Sequence, residues 1–175
     1  MKTKKILLPL ATLVAAGAIA VGSGATFTST SANTISSVTA GTLTQSNSKA
    51  NAAIFDLTNI KPGDVVNGSL TIKNTGSLPA TFSLTETAST NTFTGANLTL
   101  VITNTTAHKV VYSGTFGGLA DGIKNDLGLV APAASNDYTF SVKLDASTPN
   151  ADQGKTASAA YQWDSIQADA TTTNQ

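Results

Sequence analysis

Apolar and polar residues alternate with a period of two through most of the chain beyond residue 50. In DYTFSVKLD (137–145) every second side chain is apolar, and the residues between are polar or charged. Successive side chains of a β-strand point to opposite faces, so this pattern gives each strand one apolar face. Such faces are typical of antiparallel sheets that pack against one another. The predicted inward-facing residues are Ala53, Phe55, Leu57, Leu70, Ile72, Ala80, Phe82, Leu84, Leu98, Leu100, Ile102, Val110, Tyr112, Tyr138, Phe140, Val142, Leu144, Ala159, Tyr161 and Trp163.

Turn signals separate these alternating segments. The tetrapeptide KPGD (61–64) fits a type II turn, because proline fixes the first corner and glycine accepts the positive φ of the second. NTGS (74–77) lies between two alternating runs and predicts a hairpin connection. Clusters of Gly, Asn and Asp predict loops at 114–128 and 145–154, with room for one short helical turn in the first.

The strands and turns together predict an all-β fold. We expect a single antiparallel β-sandwich, jelly-roll-like, with about seven to nine strands. A chain of 175 residues is long enough to bury one such core. The predicted sandwich covers residues 39–168, and the polar stretch at 169–175 is expected to fray as a tail.

The N-terminus has the composition of an export signal. MKTKK (1–5) is positively charged, residues 6–21 are apolar, and the small residues that follow suit cleavage between Ala25 and Thr26. The sequence therefore predicts a signal peptide at 1–25 and a secreted protein. A retained membrane anchor is the alternative, although the apolar stretch is short for a bilayer span.

Composition removes several classes of function. The chain has no Cys, so disulfides and thiolate metal sites are excluded. Only 11% of the residues are charged, and all the basic ones are Lys. Nucleic-acid recognition relies heavily on arginine forks, and no basic patch is present, so we expect no nucleic-acid partner.

The segment between the predicted signal and the first strand is unusual. TFTSTSANTISSV (26–38) has high β-propensity but few large apolar side chains, of which Phe27, Ile35 and Val38 are the most substantial. Such a leader suits either a loose extension or a strand that lacks a partner in its own domain.

Several motifs together resemble the TasA/camelysin family of bacterial biofilm-matrix and cell-surface proteins. They are AGTLTQS (40–46), LTNIKPGDVV (57–66), LTIKNTGSLPATFSL (70–84) and the closing YQWDSIQ (161–167). The resemblance is firmest over 40–85 and near the C-terminus, and the middle of the chain is placed by its strand pattern alone.

The resemblance implies a structural subunit that polymerises by donor-strand exchange into fibres. The leader at 26–38 would insert into the next copy, with Phe27, Ile35 and Val38 as its anchors. Head-to-tail donation does not close, so it would give filaments. The implied partners are further copies of the same chain, a signal peptidase during export and an accessory matrix protein.

The camelysin side of the resemblance implies metallopeptidase activity as an alternative. Catalytic zinc usually takes three protein ligands, and this chain has one His, His108, and one Glu, Glu86. We therefore predict no catalytic, cofactor or metal site and no enzyme activity, and we expect His108 to have a partly exposed structural role. A monomeric surface adhesin or carbohydrate-binding module is the remaining alternative.

Two further expectations concern carboxylates. Glu86 shares the inward parity of Phe82 and Leu84, but a buried unpaired carboxylate is costly, so we expect the strand to end and Glu86 to be solvated. A buried Glu86 that pairs with a Lys, or supports a Lys–Asn cross-link, is the alternative.

Oxygen-bearing residues in two loops are of the type that binds calcium, although they are also ordinary turn residues. They are Asp121, Asn125, Asp126, Asp145, Asn150 and Asp152.

Overall fold

The computed structural model describes residues 40–55 and 59–169. Its eight strands are β1 Gln45–Asn47, β2 Val65–Asn74, β3 Ala80–Asn91, β4 Leu98–Asn104, β5 Lys109–Thr115, β6 Lys124–Val130, β7 Ser135–Leu144 and β8 Ala157–Gln167. A single 3-10 turn, Asn150–Asp152, lies before β8. The described residues contain no helix of the length and apolarity that a bilayer span requires.

The strands form two antiparallel sheets. One has five strands in the order β1-β2-β7-β4-β5, and the other has three in the order β6-β3-β8. The chain passes between the sheets at every connection except β1–β2 and β4–β5. The predicted antiparallel β-sandwich is therefore confirmed.

The core lies between the two sheets and follows the period-two pattern. On β4 the burial alternates strictly, with Leu98, Leu100 and Ile102 fully buried. Aromatic side chains join the sheets: the rings of Tyr138 and Trp163 lie 4.8 Å apart, and those of Phe140 and Tyr161 lie 5.2 Å apart. Contact between rings of this kind stabilises the packing beyond the area that it buries.

The strand directions define two ends of the sandwich. The end that holds the 75–79, 105–108 and 131–134 connections is called the corner end here. The end that holds the 92–97 and 145–156 connections is called the groove end. β8 pairs antiparallel with β3, and it runs from the groove end to the corner end.

The tetrapeptide at 61–64 forms the predicted turn. Gly63 has φ +92°, and the backbone N–H of Asp64 donates to the carbonyl of Lys61 over 3.0 Å. A residue with a Cβ is strained at that φ, which is why glycine stands there. The turn leads directly into β2.

The hairpin predicted at 74–77 is wrong. β2 and β3 belong to different sheets, so the segment between them is a crossover. The fully buried Asn74 holds it: its amide donates to the carbonyls of Leu78 (2.8 Å) and Val130 (3.0 Å), and its oxygen accepts the N–H of Gly76 (3.0 Å). A side chain that replaces ladder hydrogen bonds in this way lets the chain leave its sheet.

The strand predicted at 52–57 is also absent from the part that is described. Residues 53–55 pair with no strand, and Leu57 lies outside the described residues. Ile54 and Phe55 instead pack against the core as irregular backbone. The prediction that Phe55 faces inward is thus confirmed, but Ala53, predicted on the same face, is exposed, because no neighbouring strand holds this segment in a regular alternation.

Bulges explain two other departures. Val110 was expected inside but is 55% exposed, because the β4–β5 register skips Val111 and shifts the phase of the strand. The loop expected at 114–128 contains β6, whose register skips Leu127 next to Gly128. The interrupted alternation hid this strand from the sequence pattern.

Candidate functional site at an open strand edge

The outer edge of β8 is the longest strand edge without a partner strand among the described residues. β8 is 11 residues long and borders a sheet of three strands that faces a sheet of five. Among the described residues no strand pairs with that edge. A long strand edge of this kind is a template for pairing with another segment.

The hydrogen-bonding pattern identifies the groups that face outward. In an antiparallel pair, alternate residues direct both N–H and C=O toward the partner strand. The carbonyl of Ala160 faces β3, since it accepts the hydroxyl of Thr87 at 3.2 Å. The carbonyl of Trp163 faces away and accepts the amide of Gln45 at 2.7 Å. Ala159 and Tyr161 share the outward parity of Trp163.

An irregular segment, residues 48–55, lies beside this edge and partly fills the opening between the sheets. A Cβ added at Gly68 of β2 would collide with the carbonyl oxygen of Ile54, so only glycine lets the segment approach. A cavity of about 350 Å³ remains between the segment and β8. Its apolar walls include Phe55, Leu70 and Trp163, and Asn47, Lys49 and Asn51 form its polar side. The cavity can therefore take a strand that carries both apolar and uncharged polar side chains.

Glu86 is fully buried behind this edge, so the expectation that it is solvated is wrong. β3 continues to Asn91 because it pairs with β8, and Glu86 lies directly opposite Tyr161. Neither carboxylate oxygen has a hydrogen bond of good geometry within the described residues, and the Tyr161 hydroxyl has none either. Lys side chains are not among the groups that influence Glu86, so the pairing or cross-link with Lys finds no support.

The electrostatics of this pair favour neutral forms. Burial raises the pKa of Glu86 above its ordinary value, and nearby Asp121 raises it further, whereas Ser89 and Tyr161 lower it. Burial also raises the pKa of Tyr161, and the adjacent Glu86 adds to that rise. Both groups are therefore harder to ionise in the folded protein than in water.

A larger groove of about 800 Å³ opens at the groove end, next to the start of β8. Apolar side chains form much of its surface, and polar residues and lysines surround them. Its apolar residues are Ile60, Pro62, Phe93, Leu98, Leu144, Pro149 and Ala157.

Asp152 anchors the loop that forms one wall of this groove. Its carboxylate accepts hydrogen bonds from the Thr94 hydroxyl (2.7 Å) and the Asn97 amide (2.7 Å), and it lies 2.8 Å from the Lys155 ammonium. These contacts, that of Lys155 first, hold the pKa of Asp152 well below its usual range. Two loops at the groove end are thereby joined.

Replacing Asp152 with asparagine is expected to lower the melting temperature by roughly 10 °C at pH 7, since the partly exposed Lys155 ammonium and the donors from Thr94 and Asn97 lose their charged acceptor. Because the pKa of Asp152 is depressed on folding, its contribution is present above the ordinary value of 3.8 and is lost as the pH falls below it. Thermal melts from pH 3 to 7 check this. Asp145→Asn, in the same loop, is the control with a smaller expected effect, because that half-buried carboxylate accepts hydrogen bonds from the adjacent Ser147 only. An equal loss would contradict the assignment.

The residues expected from sequence are not gathered into one site. Asp145 accepts the N–H and hydroxyl of Ser147, and Asp126 accepts the N–H of Gly128, so both complete local turns. Asn125 donates to the carbonyl of Leu84. The leader anchors Phe27, Ile35 and Val38, and the cleavage residues Ala25 and Thr26, lie outside the described residues.

A family model described as camelysin metallo-endopeptidase matches residues 2–97, more than half of the chain. The chain belongs to the TasA/camelysin family. The match extends from the N-terminal segment through β1, β2 and β3, and it includes the Asn74 crossover. The resemblance drawn from the motifs at 40–46 and 57–84 is thus confirmed. No curated protein matches the chain.

The peptidase description of the TasA/camelysin family model can be compared with the side chains. His108 is exposed at the corner end with φ +53°, whereas Glu86 is buried within β3. Within residues 40–55 and 59–169, no three His, Asp or Glu side chains come together as metal ligands. The described residues therefore do not fit a catalytic zinc ion, which requires about three protein ligands.

Proposed function

We propose that this protein is an exported structural subunit that polymerises by donor-strand exchange into extracellular matrix or surface fibres. The observation that carries the proposal is the outer edge of β8, which has no partner strand among the described residues and lies beside a cavity with both apolar and polar walls. An added strand would satisfy the outward backbone groups of Ala159 and Tyr161 and would place alternate side chains against that cavity.

The leader at 26–38 has the properties that this edge requires. It is uncharged and β-prone, and Phe27, Ile35 and Val38 supply its apolar groups. Fully extended, it spans about 43 Å at about 3.3 Å per residue, compared with about 36 Å for β8.

The two alternatives have weaker support. A carbohydrate-binding module typically presents an aromatic platform, but no Phe, Tyr or Trp is among the highly exposed apolar residues of the described part. The metallopeptidase alternative would need a ligand set that these residues do not form. Neither alternative accounts for the long open edge.

The test compares purified mature protein that begins at Thr26 with a form that begins at Thr39. Negative-stain electron microscopy and size-exclusion chromatography over several days should show fibres from the longer form only. Stable monomers from both forms would count against self-assembly through the leader.

An edge variant makes the test specific to β8. Ala159→Pro removes an outward N–H without touching the ladder to β3, and proline is tolerated at such edge positions. We expect A159P to remain folded and to lose fibres, whereas A159S, which keeps the N–H, should assemble normally. Normal fibres from A159P would show that the leader binds elsewhere.

A further inference from the structure

We propose that the leader of one copy enters its neighbour at the groove end and lies along β8 as an antiparallel strand, with its N-terminal residues nearest the neighbour's corner end. This inference rests on the proposed strand donation and adds the entry point and the polarity of the fibre. It follows from where the leader joins the sandwich and from the direction of β8.

The leader joins its own domain at the corner end. The carbonyl of Thr42 accepts the N–H of Ser77 at 3.0 Å, and the carbonyl of Thr44 accepts the N–H of Gly76 at 3.1 Å. A Cβ at Gly41 would overlap the side chain of Leu78, so the backbone lies directly on the crossover there. Residue 41 is therefore fixed at the corner, and the residues before it begin from that point.

The start of β8 lies at the opposite end, in the wall of the large groove. Ala157, its first residue, lines the groove together with Phe93, Leu98 and Pro149. In a head-to-tail contact the corner end of one copy faces the groove end of the next. The chain that leaves the corner then meets the groove first.

This arrangement determines the direction of the inserted strand. Val38 is close in sequence to the fixed residue 41, so it lies near the acceptor's groove end, and Thr26 lies toward the acceptor's corner end. The leader thus runs from the corner end to the groove end of the acceptor, while β8 runs the other way. Antiparallel addition agrees with every other strand pair in the fold.

The lengths are compatible with this path. β8 requires about 36 Å of extended partner, and residues 26–38 supply about 43 Å. The surplus, together with residues 39 and 40, spans the gap from the donor's corner to the acceptor's groove. The repeating contact is heterologous and does not close, so the fibre is polar.

Cysteine pairs test the polarity, because the chain has no Cys of its own. Each variant carries one Cys in the leader and one at an exposed position of β8, in the mature form beginning at Thr26. The matched pairs are V38C with S158C and T28C with I166C. The swapped controls are V38C with I166C and T28C with S158C. Ser158 and Ile166 are about 26 Å apart along the strand, so a short bis-maleimide distinguishes them.

Preformed fibres of each variant are treated with the cross-linker and run on denaturing gels. We expect ladders of covalent multimers from the matched pairs and none from the swapped pairs. Ladders from the swapped pairs, or equally from both sets, would overturn the inference while leaving strand donation intact. Cross-links confined to monomers would show that the leader binds its own domain and would overturn it as well. Failure of every variant and of the Cys-free chain to form fibres would instead reject the proposed function itself, and this inference with it.

Discussion

Replacing Asn74 with alanine is expected to lower the free energy of unfolding by about 3–4 kcal/mol, since three hydrogen bonds are lost and their partners remain buried. The Asn74 side chain has no exposed surface, and it contacts Gly76, Leu78 and the Val130 carbonyl at the end of β6. The melting temperature should fall by roughly 10 °C. Trp163, the single Trp of the chain and largely buried, provides the fluorescence signal for denaturant melts.

Two comparisons separate this effect from a general sensitivity of β2. Asn67→Ala changes an exposed residue of the same strand and is expected to alter stability by less than about 0.5 kcal/mol. Asn74→Asp keeps the size but removes the amide donors and directs a carboxylate at two carbonyls, so it should destabilise at least as much as alanine at neutral pH. If N74A and N67A behave alike, the crossover does not depend on this side chain.

The same residue shows what the sequence can and cannot predict. The alternation around Leu70 and Phe82 correctly located β2 and β3, because each strand buries one face in a shared core. It could not show that NTGS (74–77) crosses between sheets, since that depends on the buried carbonyl of Val130, which is distant in sequence. Strand positions are local information, whereas strand pairing is decided by tertiary contacts.

Bulges limited the prediction elsewhere. Val110 and Leu129 are highly exposed although both strands contain alternating apolar residues, because a skipped residue in each strand shifts the phase of the pattern. A bulge leaves no reliable signal in one sequence, since it depends on the partner strand. The segment at 53–55 was misassigned for the opposite reason, because its pattern is regular but no strand lies beside it.

The candidate site was only partly predictable. The sequence indicated a leader without a partner and an inward parity for Glu86, but it did not identify β8 as the open edge. That requires the strand order, in which three strands face five. The cost of burying a carboxylate argued for a solvated Glu86, yet pairing with β8 extends β3 past it.

Replacing Glu86 with glutamine is expected to stabilise the protein at neutral pH. An amide carries no ionisation cost in the core, and its N–H groups suit the nearby Asp121 and Ser89 oxygens better than a carboxylate does. A buried polar group without a partner costs about 1–3 kcal/mol, so the melting temperature should rise by roughly 3–8 °C.

The pH dependence gives the sharper test. Because burial raises the pKa of Glu86, the carboxyl is neutral in both states below its ordinary value of 4.5 and has no ionisation penalty there. As the pH rises above 4.5, the unfolded chain ionises first, so the stability of the wild-type protein falls until the folded pKa is passed. E86Q lacks this pH-dependent loss of stability, so the difference in melting temperature between the two proteins should grow with pH.

Thermal melts of both proteins from pH 4 to 8 measure that difference directly, because contributions such as that of Asp152 are common to both and cancel. Glu86→Ala serves as the control for packing: it also removes the ionisation but leaves a cavity, so it should lose stability at every pH while keeping the altered slope. A constant difference between E86Q and the wild type across this range would mean that the Glu86 carboxyl titrates as it does in water. The raised pKa that burial gives Glu86 in the folded protein would then be wrong.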